Sequence, residues 1–176
     1  MCSAAAIDDR HQTLVVGLGN PILGDDGVGW RVADEVERRL LASPELGRSV
    51  GPVEVDRLAV GGLSLMERLV GYERVVLIDA ALDGRLPGTI AVGTLAEADG
   101  RLTGHLDSAH DATLSAALEV GAALGARLPA TLSVVTVSVR RMGDFDEHMT
   151  PEVAAAVGPA ADEVMALLHR PEKVSA

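Results

Sequence analysis

The chain has 176 residues, enough for one domain with a full core, and 48% of them are hydrophobic, which lies in the globular range and excludes a disordered class. A net charge of −11 and a single Trp, Tyr and Phe exclude a nucleic-acid binder that works through a basic surface or stacked bases, and they leave the core to Val, Leu, Ile and Ala. The lone Cys2 excludes an internal disulfide framework and a cysteine-rich zinc site.

Residues 1–12, "MCSAAAIDDRHQ", lack the basic-then-apolar character of a secretory leader, and no apolar run reaches membrane-spanning length. The expectation is a cytoplasmic protein with an extended or disordered segment over 1–12, a single α/β domain over 13–170 and a tail over 171–176. Within the domain, "TLVVGLG" (13–19) reads as a buried strand, a β-branched run ending in glycine. Residues 27–43 carry Val28, Val32, Val36 and Leu40 on one helical stripe. "PVEVDRLAV" (52–60) is a second strand, and "LSLMERLVG" (63–71) a short helix closed by Gly71. "RVVLIDAAL" (74–82) is apolar throughout, as a strand covered on both faces should be. "GTIAVGTL" (88–95) is a short strand after a Pro87-Gly88 turn. A helix is expected to start near Ser108 as N-cap and to run to residue 126. "TLSVVTVSV" (131–139) is the last strand, and residues 150–170 form a closing helix with Thr150 as N-cap and Pro151 at its first position. Pro159, preceded by Gly158, predicts a break or kink in it.

Strands alternating with helices predict an α/β three-layer sandwich, a mainly parallel five-stranded sheet with one short antiparallel strand, flanked by helices. Ligands of such sheets bind outside the carboxyl ends of the strands. Three chemistry-bearing segments fall on that edge: Asp25 and Asp26 after the first strand, Asp79 at the end of "VVLID", and His110 at the opening of the helix after "HLDSAH". Two carboxylates and an imidazole suit nickel, zinc, iron or manganese, and three protein ligands leave positions open for water or substrate. Each residue also has an ordinary role open to it. Asp25 or Asp26 can cap the helix that follows, Asp79 can bond loop amides, and His110 can sit on the surface or cap a turn. A dinucleotide site fits poorly, because "GLGNPI" lacks the third fingerprint glycine and two aspartates repel a pyrophosphate. There is no G-x-S-x-G elbow, and Ser108 and His110, two apart at a helix start, do not face each other.

"GLGNPILGDDGVG" (17–29) resembles the N-terminal signature of the hydrogenase maturation endopeptidases. The likeness extends in order through "VVLIDAAL", "PGTI", "SAHDATLSAAL" and "TPEVAAAVGPAADEVMALL", about residues 13–169. By position, the resemblance implies that Asp26, Asp79 and His110 contact the metal and carry the catalysis, and that Gly19, Asn20, Gly24, Asp25 and Gly27 form the loop facing the substrate, with Asp25 shaping the turn. The family uses Glu or Asp at the first of these positions, so Asp26 is admissible and one methylene shorter. The implied activity is removal of a C-terminal extension from the nickel–iron hydrogenase large-subunit precursor. Nickel is then supplied by that partner rather than held at rest, and an exposed set of two carboxylates and an imidazole awaits it. The metal could activate water, or Asp26 or Asp79 could act as an aspartyl general base. A monomer is expected, with no nucleic-acid partner and no membrane insertion. Two departures stand out. Ala59-Val60 precede Gly61-Gly62 where the family often has an aspartate, and Ala109 precedes His110 where a proline is common. A non-catalytic nickel-dependent assembly factor and a general peptidase carrying its own zinc are the competing readings.

Overall fold

Strand β1 (Thr13–Leu18) is the hub of the sheet. In a computed structural model of the chain, which describes residues 13–98, 113–143 and 145–169, it pairs in parallel with β2 (Val53–Leu58) on one side and β3 (Arg74–Ala81) on the other. Strand β5 (Thr131–Ser138) continues the parallel sheet beyond β3, and β4 (Ile90–Thr94) closes the edge antiparallel to β5, giving the order β2-β1-β3-β5-β4. The expected five-stranded sheet with one antiparallel member is the one observed, each strand ending within two residues of its predicted bounds.

Period-two alternation sends the strand side chains to two apolar layers. Val15, Val76, Ile78, Val135 and Val137 meet α1 (Val28–Ala42) and α6 (Pro151–His169). Leu14, Val16, Leu18, Leu77 and Val134 meet α3 (Gly62–Leu69) and α5 (Leu114–Ala123) on the opposite face. In α1 the stripe Val28, Val32 and Val36 is fully buried. Each such burial is worth about 1.5–3 kcal/mol, against a helix-propensity deficit of at most about 0.7 kcal/mol per β-branched residue, so packing decides the helix.

Three expectations are corrected. The helix expected to begin near Ser108 is observed from Leu114, because Thr113 adopts a non-helical φ −55, ψ 156 and its hydroxyl accepts the Ala116 N–H at 3.2 Å; Ser108 itself lies outside the described residues. The break that Pro159 offered is absent, since α6 is helical throughout Pro151–His169. Glycine at 158 removes the Cβ that would clash with the proline ring, and the Ala155 carbonyl deprived of its donor lies on the exposed face of the helix. Finally, two short helices were not anticipated, α2 (Pro44–Val50), with proline at its first position, and α4 (Leu95–Ala98).

Arginine clusters tie the layers together. Arg39 bonds Glu35 at 2.7 Å within α1, and Asp162 at 2.6 Å and the Gly158 carbonyl at 3.2 Å on α6. Arg57 of β2 reaches Asp34 and Glu37 of α1, and Arg68 of α3 reaches Glu54 and Asp56 of β2. Hydrogen bonds from Arg38 and Arg39 hold the Glu35 carboxyl at about 2, below its ordinary 4.5. A carboxyl that ionises more readily folded than unfolded stabilises the fold fully above pH 4.5 and loses that contribution as pH falls toward 2. Thermal unfolding from pH 7 to pH 2 is therefore expected to show Glu35→Gln melting below wild type at pH 7, with the gap closing through pH 4 as pH drops. A gap that stays constant over that range would contradict the assignment.

Candidate active site

The chain leaves β1 first to one side, for β2, and then crosses back to the other, for β3. Such a reversal opens a crevice outside the carboxyl ends of the two central strands, the usual ligand position of an open α/β sheet. Backbone crowding brings the glycine-rich turn into it. A Cβ on Gly17 would lie 2.3 Å from the Gly29 carbonyl oxygen, and a Cβ on Gly29 would lie 2.2 Å from the Leu18 oxygen and 2.6 Å from that of Ile78. Helix α1 therefore starts in backbone contact with both central strands, one residue short of Asp79. Gly19, at φ 126, turns the chain off β1 so tightly that a Cβ there would sit 1.9 Å from the backbone carbonyl oxygen of Asp26. The 3-10 turn Gly24–Gly27 packs against β3.

The two neighbouring aspartates face different partners. Asp25, 7% exposed, accepts from the backbone N–H of Thr150 at 2.6 Å and from its hydroxyl at 3.0 and 3.1 Å. Its carboxylate thus fastens the turn to the start of α6, and the Thr150 hydroxyl donates to it. Asp26, 3% exposed, accepts the Asn20 N–H at 2.7 Å across the turn. Asn20 also orders this loop, its side-chain oxygen accepting from Ile22 N at 3.2 Å and its carbonyl from Leu23 N at 3.0 Å. Asp79 is fully buried and accepts the Ala80 N–H at 2.9 Å. Strand parity points it to the α3/α5 face, the side of the helix into which the His110 segment leads.

His110 lies outside the described residues. Among the described residues no three His, Cys, Asp or Glu side chains are grouped to hold a metal; the described donors of the expected set are Asp26 and Asp79. The expectation of exposed carboxylates is corrected, since both are buried. Asp79 occupies an interior position between β1 and β5 with the 3-10 turn against its strand. Burial strengthens a carboxylate's attraction for a cation, because the low local dielectric screens it less.

Sequence reasoning missed the segment that braces the turn. Leu23 forms a parallel bridge with Asp146, the Gly24 N–H donates to the Asp146 carbonyl at 2.5 Å, and the Asp146 N–H to the Ile22 carbonyl at 3.2 Å. Asp146 also accepts the His148 N–H at 2.8 Å, and that bond, with the His148 ring, keeps its carboxyl below the usual range. Contacts across more than 120 residues leave no local pattern to read. The Trp30 indole N–H, at 3.2 Å, and the Gly19 N–H, at 3.1 Å, both donate to the Leu58 carbonyl at the end of β2. The loop that follows and the first turn of α3 leave Val60 and Leu63 exposed.

Known proteins share this fold. The sequence matches the family model for hydrogenase maturation proteases over residues 51–167. It is 27% identical over 159 residues to the Hydrogenase 2 maturation protease of Escherichia coli (strain K12), covering 89% of this chain and 90% of that protein. The structure is similar to the hydrogenase maturating endopeptidase HybD from E. coli, with a TM-score of 0.63 at 26% identity, covering 89% of this chain and 91% of that one. It is also similar to the NiFe hydrogenase maturation protease HybD from Thermococcus kodakarensis, with a TM-score of 0.57 at 25% identity, covering 89% and 99% of the two chains. A protease family favours the peptidase reading over a non-catalytic assembly factor. The chain belongs to the hydrogenase maturation protease family and is a peptidase.

Proposed function

We propose that this peptidase removes the C-terminal extension of a nickel–iron hydrogenase large-subunit precursor after nickel insertion, using the precursor's nickel for recognition. The observation that carries the reading is that Asp26 and Asp79, buried carboxylates on the turn after β1 and at the end of β3, lie at the carboxyl-end edge of the sheet where the strand order reverses, the usual ligand side of such sheets. With His110 they supply two oxygen donors and one nitrogen donor, a set suited to nickel. It is completed when the substrate brings the cation together with ligands of its own. Metal loading then licenses cleavage, a checkpoint that a side-chain specificity pocket could not provide. The nickel polarises the scissile carbonyl or lowers the pKa of a water, and Asp26 or Asp79 is placed to take the proton. The enzyme acts as a monomer in the cytoplasm; no helix among the described residues is long and apolar enough to cross a membrane.

Mixing the protein with nickel-loaded and nickel-free precursor and following the precursor's mass tests this directly. The loaded form is expected to lose its extension and the nickel-free form to stay intact. Equal processing of both, or of neither, would sink the nickel checkpoint.

A further inference from the structure

The chain has one Trp, one Tyr and one Phe, and the first two are built into the fold. The Trp30 indole N–H donates to the Leu58 carbonyl. The Tyr72 hydroxyl bonds Glu54 and Arg68 while its ring packs on the α3/α5 layer. Phe145 is turned outward, 86% exposed, although an aromatic ring is among the side chains with most to gain from leaving water.

Its place in the fold separates Phe145 from the apolar residues scattered elsewhere on the surface. Leu41 and Leu124 lie at the far ends of α1 and α5, and exposed apolar residues at such positions are ordinary. Among the described residues, Ile22 and Phe145 are the large exposed apolar side chains that belong to the Asp26 turn and to the segment bridged to it. Leu23 and Asp146 pair in a parallel bridge, closed by the Asp146 N–H on the Ile22 carbonyl at 3.2 Å and the Gly24 N–H on the Asp146 carbonyl at 2.5 Å. In parallel register the residues one position earlier, Ile22 and Phe145, stand opposite each other. Period-two alternation sends both to the face away from Leu23 and Asp146, on backbones about 4.8 Å apart. Ile22 is 48% exposed, so the two side chains make one apolar patch open to solvent.

The patch and the Asp26 carboxylate are held by the same residue. Asn20 accepts the Ile22 N–H with its side-chain oxygen at 3.2 Å and the Leu23 N–H with its carbonyl at 3.0 Å, and its own N–H donates to Asp26 at 2.7 Å. Four residues separate Ile22 from Asp26, which places their Cα atoms at most about 14 Å apart, the span of about four residues of an extended peptide.

We propose that Ile22 and Phe145 receive an apolar side chain of the polypeptide being cut, within about four residues of the scissile bond. The occupant is the substrate chain because a peptidase must lay that chain across the turn that carries its carboxylate, and the patch is continuous with this turn. An aromatic ring on a braced backbone is the usual anchor of such a contact. The assignment rests on the endopeptidase reading above. Ile22 and Phe145 are specificity residues and take no part in the chemical step.

The test measures kcat and KM for nickel-loaded precursor with wild type, Ile22→Ala, Phe145→Ala, Phe145→Leu and the Ile22→Ala, Phe145→Ala double variant. Both side chains face solvent, so the fold is expected to persist, checked by an unchanged unfolding midpoint. The double variant is expected to raise KM roughly 10- to 100-fold with kcat within about threefold, since apolar contact made equally to substrate and transition state acts on binding. Phe145→Leu is expected to recover most of the loss by keeping an apolar surface. Apolar precursor residues within four of the cut are then replaced one at a time by Ser, and one replacement is expected to abolish the difference between wild type and the double variant. A double variant whose KM stays within about twofold of wild type, a loss confined to kcat, or a difference that survives every substrate change overturns the contact. So does a wild-type dimer in sedimentation that Phe145→Ala dissociates, which would give the patch to a second copy of the chain. Failure of the wild type to cut any precursor is seen before variants are compared; it removes the endopeptidase reading and the contact with it.

Discussion

Asp79→Asn is expected to lower the rate of precursor processing by roughly 10²-fold or more, the scale of losing a general base, while the protein still unfolds cooperatively. Asparagine has the volume of aspartate and keeps an oxygen for the Ala80 N–H, which Asp79 now holds at 2.9 Å. What it removes is the negative charge at a fully buried position, and a charge matters most there because little water screens it. Asp26→Asn follows the same logic, since an amide oxygen can still take the Asn20 N–H at 2.7 Å, and it is expected to lose activity on the same scale. His110→Ala completes the set by removing the nitrogen donor. Asp25→Asn is the contrasting case. Its carboxylate is spent on Thr150, so the variant should lose about 1–3 kcal/mol of stability, the worth of a charged hydrogen bond, and keep more of the processing rate than any of the other three. Rates come from the mass of the precursor over time, stabilities from urea unfolding. If two of Asp26→Asn, Asp79→Asn and His110→Ala retain near-normal rates, the site has been placed on the wrong residues.

The parts of this molecule legible in the sequence are those governed by local pattern and by the sheet as a whole. The β-branched runs at 13–18, 74–81 and 131–138 could only be buried strands, and their alternation with helices implied the parallel sheet that β1, β2, β3 and β5 form. From that sheet, the rule that ligands sit at strand carboxyl ends was enough to bring the Asp25-Asp26 turn and Asp79 to one crevice. Contacts remote in sequence were not legible. Nothing around Thr150 announces that its N–H will meet Asp25 across 125 positions, nor does anything near Asp146 announce its bridge to Leu23. Ser108 and Thr113 are both cap residues by type, and it is the backbone angles of Thr113 and its bond to the Ala116 N–H that mark the start of α5. Pro159 does not break α6 for a related reason, because the glycine before it removes the usual clash and the exposed face of α6 tolerates the lost bond.

The same distinction between type and surroundings makes two helical glycines respond oppositely to alanine. Gly29 in α1 and Gly121 in α5 look alike in sequence, and in an open helix either change should stabilise by up to about 1 kcal/mol. At Gly29 the added Cβ would meet the Leu18 carbonyl oxygen at 2.2 Å, the Ile78 oxygen at 2.6 Å and the Leu18 nitrogen at 2.9 Å. All three are backbone atoms of the central strands, fixed by the β1–β3 ladder, so the helix must move instead. Overpacking of this kind costs about 3 kcal/mol or more, roughly 6–12 °C in melting temperature for a chain of this size. At Gly121 the nearest atom is the Met66 sulfur, at 2.9 Å, followed by its methyl at 3.4 Å. A methionine end can swing aside, and the helix gains a better former, so Gly121→Ala is expected within about 1 kcal/mol of wild type. Urea unfolding of the two variants measures the difference, and equal losses would show that the close crossing of α1 on β1 and β3 is not what Gly29 serves. Because that crossing seats the start of α1, and with it the Asp26 turn, beside Asp79, Gly29→Ala should also lower processing in the fraction that remains folded, although the residue touches no substrate.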